Sequence, residues 1–160
     1  MAPATSVKLS MASEIRLVDL VHEASQKMAE FAGFEEDEAL NMALAVREAV
    51  INAITHGNRR DPRRTVELLL TANGAGMTVR VRDEGEGFDP DVARDPTRGE
   101  DLLRTSGRGL LLIRAFVDEV KFRKRRGRGM EVTLVKRTPP VPAAGAEEIR
   151  PAGLRQGGVR

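Results

Sequence analysis

Three short segments of the chain combine carboxylate, amide and glycine residues at spacings that could support chemistry. In the first, Glu48, Asn52 and His56 stand four residues apart. Positions four apart share one face of a helix, so these side chains form one polar stripe. An amide oxygen can bind Mg²⁺ and a carboxylate can take a proton, so Asn52 and Glu48 suit metal-assisted proton transfer. Taken alone, the stripe is more typical of an ordinary solvated helix face.

The second segment is Asp83-Glu84-Gly85-Glu86-Gly87, which directly follows a predicted strand. Glycines let the backbone approach a ligand without a clash at Cβ. A carboxylate at the end of a strand can accept a hydrogen bond from the amino group of adenine. The segment alone is also compatible with a simple charged, glycine-rich turn.

The third segment is Ser106-Gly107-Arg108-Gly109, followed by the apolar run 110–113. We interpret it as a glycine pair that opens a helix, where free N–H groups favour phosphate. It is neither a P-loop, since no Gly-Lys-Ser or Gly-Lys-Thr follows, nor a complete dinucleotide-binding fingerprint.

Periodicity and turn residues predict the elements that position these segments. We predict strands at 4–11, 65–71, 77–82, 120–124 and 130–136, and helices from Ser13 as N-cap to Gly33, at 35–56 and at 110–117. Residues 84–106 are predicted to form a long binding loop, or lid. This order predicts an α/β two-layer sandwich with three helices on one face of a mostly antiparallel sheet.

Apolar spacing also predicts which helix residues face the core. For the first helix they are Leu17, Val21, Ala24, Met28 and Phe31, and for the second Ala39, Ala43, Val46, Val50 and Ala53. One domain is predicted at 1–137. Residues 138–160 hold four prolines and four glycines and are predicted to be a disordered tail.

Composition excludes several classes of function. The chain has no cysteine, which excludes disulfides, cysteine–zinc sites and thiol catalysis. No apolar run is long enough for a signal peptide or a membrane helix, so we expect a cytoplasmic protein without a membrane partner. The 26 basic residues nearly balance 24 acidic ones, and Trp and Tyr are absent, so we expect no direct nucleic-acid binding.

Together, the three segments resemble the GHKL ATPase superfamily, over about residues 5–137. In its terms Glu48 to Asn52 is the N box, Asp83 to Gly87 the G1 box and Gly107 to Gly109 the G2 box. The runs ALAVREAVINAITHGN and SGRGLLLIRAFVDEV are most similar to the bacterial anti-sigma-factor serine/threonine kinases.

This resemblance implies the Bergerat-type ATP-binding fold, with ATP and Mg²⁺ as cofactors. It implies Glu48 as the general base and Asn52 as the magnesium ligand. The implied nucleotide-binding residues are Asn52, Asp83, Gly85, Gly87, Arg104, Gly107, Arg108, Gly109 and the late-strand Thr133. Which arginine near the lid contacts the phosphates stays open at this point.

The same resemblance implies an anti-sigma factor that sequesters a sigma factor and phosphorylates an anti-anti-sigma protein, and it implies a homodimer. Two alternatives stay open: a nucleotide-dependent binding module without phosphotransfer, and a plain ATPase in which Glu48 activates water. We expect no phosphoacceptor role for His22, because the family fold already uses the segment before Glu48. The run 121–128 has six basic residues in eight and suits either docking of an acidic partner or a solvated turn.

Overall fold

The computed structural model describes residues 3–87 and 100–139, and it describes side chains throughout these ranges except at 100–107. The elements are β1 (Thr5–Ala12), a 3₁₀ turn (Ile15–Leu17), α1 (Val18–Phe31), α2 (Glu36–Asn52), a π-helical turn (Ala53–Gly57), β2 (Thr65–Asn73), β3 (Gly76–Arg82), α3 (Glu100–Phe116), β4 (Glu119–Lys124) and β5 (Met130–Arg137). This order confirms the predicted α/β two-layer sandwich.

The five strands form one antiparallel sheet in the order β1-β2-β3-β5-β4. Strand alternation places its buried residues in rows: Leu70 lies opposite Val79, which lies opposite Leu134, and all three are buried. The described helices cover this face, since α1 packs on β2 and β3, α2 on β3 and β5, and α3 on β4.

The central helix is α2, which packs against both other helices and the sheet. Its buried side is rich in alanine and valine, and all five residues predicted to face the core are buried. Small side chains let the helix approach the sheet closely, and the transfer of this apolar surface from water stabilises the fold. The polar stripe therefore lies on a side of α2 that faces away from the core.

The first helix differs from its prediction in two details. Phe31, predicted to face the core, is 67% exposed, whereas the predicted Val21 and Met28 are buried. Phe31 is the last residue of α1 and lies at the end of the apolar stripe. Ser13 is not a helix cap, because its hydroxyl donates to the carbonyl oxygen of Arg64 at 2.8 Å.

The third helix corrects a larger prediction, because α3 begins at Glu100 rather than at Leu110. The predicted loop 84–106 is therefore helical over at least its last seven residues, and its residues 88–99 lie outside the described part of the chain. Glycine and polar residues suggest a loop, but no proline lies between Pro96 and the end of α3, and two acids stand in its first turn, where the dipole favours them. Gly107 and Gly109 thus lie inside a helix and do not open one.

Of the predicted tail 138–160, the structure describes only residues 138 and 139. Thr138 is described, and its N–H donates to the carbonyl oxygen of Ala75 at 3.1 Å. Thr138 is therefore bonded to the β2–β3 turn, while the domain boundary after residue 137 and the character of the tail stay predictions.

Candidate functional site

Asp83 lies at the end of β3, where it is almost fully buried at 6% exposure. Its N–H donates to the carbonyl oxygen of Met130 at 3.0 Å. Its Oδ1 accepts from the N–H of Gly85 at 2.9 Å and from that of Met130 at 3.1 Å. Among the residues whose side chains are described, none donates to Oδ2. The carboxylate is thus fixed in orientation and keeps one oxygen available as an acceptor.

Three glycines let backbone segments pack closely around Asp83. A Cβ on Gly57 would lie 2.4 Å from Oδ2 of Asp83, and a Cβ on Gly129 would lie 1.9 Å from its carbonyl oxygen. A Cβ on Gly85 would lie 2.0 Å from the carbonyl oxygen of Gly57. Any side chain at these positions would displace backbone or the carboxylate, so glycine is required by packing.

The π-helical turn at the end of α2 places Gly57 next to Asp83. In it the N–H of Asn58 donates to the carbonyl oxygen of Ala53, five residues earlier, at 2.7 Å. Single π turns widen a helix by one residue and often occur at functional sites. Here the widened turn joins the stripe-bearing helix to the buried carboxylate.

Burial raises the pKa of Asp83, because the charged form loses its hydration. The hydrogen bonds from Gly85 and Met130 oppose this change in pKa, as does the charge of Arg125. Arg125 also donates to the carbonyl oxygen of Asp83 at 2.8 Å. The site therefore holds a carboxylate that is costly to ionise in the folded protein, which is typical of functional positions.

The neighbouring Glu84 is held in a different way. Its Oε2 accepts from the N–H of Thr65 at 2.6 Å and from the hydroxyl of Thr65 at 3.0 Å. These two bonds lower the pKa of Glu84. This carboxylate therefore ties the segment after β3 to the start of β2.

Glu48 and Asn52 lie on α2 where it packs against α3. A Cβ on Gly109 would lie 2.7 Å from Oε2 of Glu48 and 3.9 Å from Nδ2 of Asn52. Within the described part of the chain, neither Glu48 nor Asn52 has a hydrogen bond or ion pair, and both are half-buried. The structure thus brings Glu48, Asn52 and Gly109 together with polar groups free to act, while His56 at the end of the stripe is exposed.

The described contacts do not bring four further predicted site residues to these groups. Thr133 lies opposite Arg80 and Lys121 in the sheet, three positions from Met130, so it lies on the face away from the helices. Gly107 lies within α3, so its N–H is not at a helix N-terminus. The side chain of Arg104 lies outside the described residues, and Arg108 is exposed.

Sequence reasoning missed five residues that build the pocket around Asp83: Gly57, Asn58, Arg125, Gly129 and Met130. The predicted second helix ends at residue 56, just before Gly57 and Asn58, and the segment between the last two predicted strands carries no assigned role in nucleotide binding. The available signal was the glycine in Arg128-Gly129-Met130, at the start of a strand where backbone approaches backbone.

Comparison with known proteins defines the class. A family model described as "Histidine kinase-like ATPase domain" matches residues 11–136, and the chain belongs to this family. The sandwich fold and the three segments agree with that assignment.

Within the family, the chain is similar to named bacterial regulators. It is 35% identical over 104 residues to the anti-sigma F factor of Anoxybacillus flavithermus, which covers 62% of this chain and 70% of that protein. It is 37% identical over 105 residues to the anti-sigma F factor of Geobacillus stearothermophilus, with the same coverage. It is 26% identical over 127 residues to the serine-protein kinase RsbW of Bacillus subtilis, which covers 76% of this chain and 79% of that protein. The resemblance to anti-sigma-factor kinases is therefore confirmed.

Two general features of the described residues bear on the site. They contain no group of three or more His, Cys, Asp or Glu side chains that could hold a metal ion. Nor does any helix in this part of the chain have the length and apolar character needed to cross a membrane.

Proposed function

We propose that this protein binds Mg·ATP, transfers the terminal phosphate to a serine or threonine of an anti-anti-sigma protein, and sequesters a sigma factor. One observation carries the proposal: in a histidine kinase-like ATPase domain, the buried Asp83 lies beside the turn that ends α2, and Glu48 and Asn52 lie further along that helix. Among the described residues, none donates to Oδ2 of Asp83 and none pairs with Glu48 or Asn52. The names of the relatives, anti-sigma F factor and serine-protein kinase, support a sigma factor as one partner and serine as the acceptor residue.

Asp83 would accept a hydrogen bond from the amino group of adenine through Oδ2. Gly85 and Gly87 would let the base and sugar approach the backbone. Glu48 and Gly57 are nine residues apart, which is roughly 13 Å along a helix at 1.5 Å per residue. That separation suits a nucleotide that lies along α2, with its base at Asp83 and its last phosphate near Glu48.

Glu48 would act as the general base in the transfer step. As the partner's hydroxyl oxygen bonds to the γ-phosphorus, its proton passes to the Glu48 carboxylate, and the bond from that phosphorus to the β,γ-bridging oxygen breaks to release ADP. Such transfers depend mainly on positioning and on charge stabilisation. Arg108, exposed beside Gly109, and Arg104 are our candidates for stabilising phosphate charge.

The residues present fit a magnesium ion held largely by the nucleotide. The amide oxygen of Asn52 would be the protein ligand, because hard cations prefer oxygen ligands, and phosphate oxygens and water would complete the set. Bound Mg²⁺ supplies charge neutralisation between the phosphates. Asn52 contributes by fixing where that charge lies relative to Glu48.

The decisive test mixes the protein, Mg²⁺, γ-labelled ATP and the anti-anti-sigma protein encoded nearest to it. We expect acid-stable, base-labile phosphate on one serine or threonine of the partner, with none formed by Glu48→Ala. Free phosphate without a labelled protein would indicate the plain ATPase, and acid-labile phosphate on this chain a histidine kinase. Nucleotide-dependent complex formation without either product would indicate the binding module.

A homodimer working in the cytoplasm is part of the same proposal. The edge strand β1 and helix α1 lie outside the nucleotide segments and are the candidate contact surfaces. Val7 on β1 and Leu20 on α1 are exposed apolar residues, at 41% and 63%. Sedimentation of the wild type and of a Leu20→Glu variant would test this assembly, since a dimer that used α1 should dissociate in the variant.

A further inference from the structure

We propose that Asn58 is a positioning residue for the nucleotide site, because it fixes the segment 83–87 against the end of α2. The part of this inference that concerns nucleotide binding rests on the proposed function. The structural part does not. Asn58 belongs to none of the three segments that suggested chemistry, and it contacts no reacting group.

The side chain of Asn58 is a fully buried hydrogen-bond hub, with 0% exposure. Its Nδ2 donates to the hydroxyl of Ser13 at 2.7 Å and to the carbonyl oxygen of Thr65 at 2.9 Å. Its Oδ1 accepts from the N–H of Glu84 at 2.8 Å. One amide therefore joins the end of β1, the start of β2 and the segment after β3, and leaving any of these partners unsatisfied would be costly.

The contact continues on both sides of Asn58, so that residues 57–59 run beside residues 83–86. The pairs are Gly57 with Gly85, Asn58 with Glu84, and Arg59 with Glu86, whose charged groups are 3.3 Å apart. The last pair is exposed and contributes little by itself. The first two are packed or buried and set the distance between the two segments.

The two residues immediately after Asn58 have strained backbone conformations. Arg59 and Arg60 have φ angles of 55° and 58°, the left-handed region that non-glycine residues seldom adopt. Such conformations persist only where the surrounding structure enforces them, and they concentrate at functional sites. Here the N–H of Arg60 donates to the carbonyl oxygen of Ile54 at 2.8 Å, so the chain reverses immediately after Asn58.

Asp83 consequently has two separate anchors. On one side Met130 holds its N–H and its Oδ1. On the other, Asn58 holds the N–H of the next residue, Glu84, and so fixes the turn that lets Gly85 donate to the same Oδ1. Loss of the Asn58 acceptor would free this second side, and Oδ2 would no longer have a fixed position towards a base.

The experiment compares Asn58→Ala with Ser13→Ala, a matched control that removes a buried partner from the same hub on the side away from Asp83. Residue-resolved amide hydrogen exchange by NMR reports on the hub without nucleotide. In the wild type we expect the Glu84 amide to be protected. In Asn58→Ala its exchange should become about tenfold faster relative to the Met130 amide, as expected for loss of one buried hydrogen bond. Ser13→Ala should leave this ratio within about twofold.

Nucleotide binding supplies the second readout. The preference for ATP over inosine triphosphate, which lacks the amino group, should fall about tenfold in Asn58→Ala and stay within about twofold in Ser13→Ala, even if both variants melt at lower temperature. A purely structural role would move the melting temperatures of both variants but not this preference.

The outcomes separate the inference from the proposed function. A wild type that binds no ATP would refute the proposed function, while the exchange data would still decide the role of Asn58. Unprotected Glu84 in the wild type, or an unchanged exchange ratio in folded Asn58→Ala, would overturn the inference. If Asn58→Ala does not fold, Asn58→Asp replaces it: this variant keeps the acceptor, so Glu84 must remain protected, and loss of protection would also overturn the inference.

Discussion

The two ends of the site are built in contrasting ways. Around Asp83, backbone segments from α2, β3 and β5 meet through glycines and hydrogen bonds, and the side chain is buried. Around Glu48, two helices pack side by side, and the acting groups are half-buried side chains without described partners. One end is fixed by the backbone, whereas the other depends on side chains that keep their freedom.

This contrast suggests that the two ends of the site have different functions. A rigid, desolvated acceptor discriminates between bases, since a wrong partner leaves a buried polar group unpaired. A base that must exchange protons needs access to its substrate and to solvent. Changes at the Glu48 end should therefore alter rates with little effect on stability, and changes at the Asp83 end should alter affinity and stability together.

The largest effect is expected from Glu48→Ala. Removal of a positioned general base should slow phosphotransfer about 10²–10⁴-fold while nucleotide affinity is kept. Single-turnover transfer and equilibrium binding would be measured separately. Asp37→Ala, which removes an exposed carboxylate from the same helix, is the control and should transfer at the wild-type rate. A folded Glu48→Ala protein with wild-type transfer would exclude Glu48 as the base.

Asp83→Asn should weaken ATP binding by about 10–100-fold, the worth of a hydrogen bond to a charged group. The amide oxygen can still accept from Gly85 and Met130, but the amide nitrogen would point a donor where adenine also offers a donor. Calorimetric titration with ATP would measure the loss. Undiminished ATP affinity in the folded variant would remove Asp83 from base recognition.

For the same Asp83→Asn variant, we expect folding stability to be kept or increased although ATP affinity falls. Because the pKa of Asp83 is raised in the folded protein, ionisation of its carboxyl opposes folding. That cost is absent below the unfolded pKa of about 4, grows as pH rises through the raised value, and persists at neutral pH. Asp83→Asn should therefore melt at a temperature equal to or above that of the wild type at pH 7, and the advantage should shrink towards pH 4. A lower melting temperature at pH 7, with no change towards pH 4, would contradict this.

Gly109→Ala tests the Glu48 end of the site, where α2 packs against α3. Alanine favours a helix interior over glycine by about 1 kcal/mol, so stability should hold or rise. The new methyl would lie 2.7 Å from Oε2 of Glu48, and the flexible carboxylate must move away. We expect transfer to slow about tenfold with unchanged ATP affinity, because a base displaced by a fraction of an ångström is poorly placed. Gly74→Ala, in an open turn, is the control and should change neither quantity.

The contrast also explains what sequence could predict. The stripe of Glu48 and Asn52 and the segment after β3 are local patterns, and helix period and glycine spacing indicate them directly. The approach of Gly57 to Asp83 joins residues far apart in sequence, and the π turn that permits it has no spacing signal. Such a contact becomes visible only once the strand register is known.

Two predictions, the start of α3 and the role of Thr133, fail for another reason. The predicted start of α3 is wrong because Gly107 and Gly109 are interpreted as a pair that opens a helix. A glycine inside a helix is tolerated when packing requires it, as Gly109 beside Glu48 shows. Thr133 was assigned to the site by family likeness, but strand alternation places it on the outer face of β5. In both cases tertiary packing decided what local pattern left open.

The smallest effect is expected from the C-terminal tail, which the composition predicts to be disordered. Removal of residues 140–160 should leave melting temperature and ATP affinity unchanged, because the composition of the tail offers little apolar surface to offset the entropy of ordering. Removal from residue 138 also deletes Thr138, whose N–H bonds to Ala75 at the β2–β3 turn. That exposed bond is worth at most about 1 kcal/mol, so the shorter protein should melt only slightly earlier. Scanning calorimetry of both truncated proteins would distinguish the cases: a large loss with the 140–160 deletion would show that the tail packs on the domain, and a loss confined to the longer deletion would place the domain boundary at Thr138.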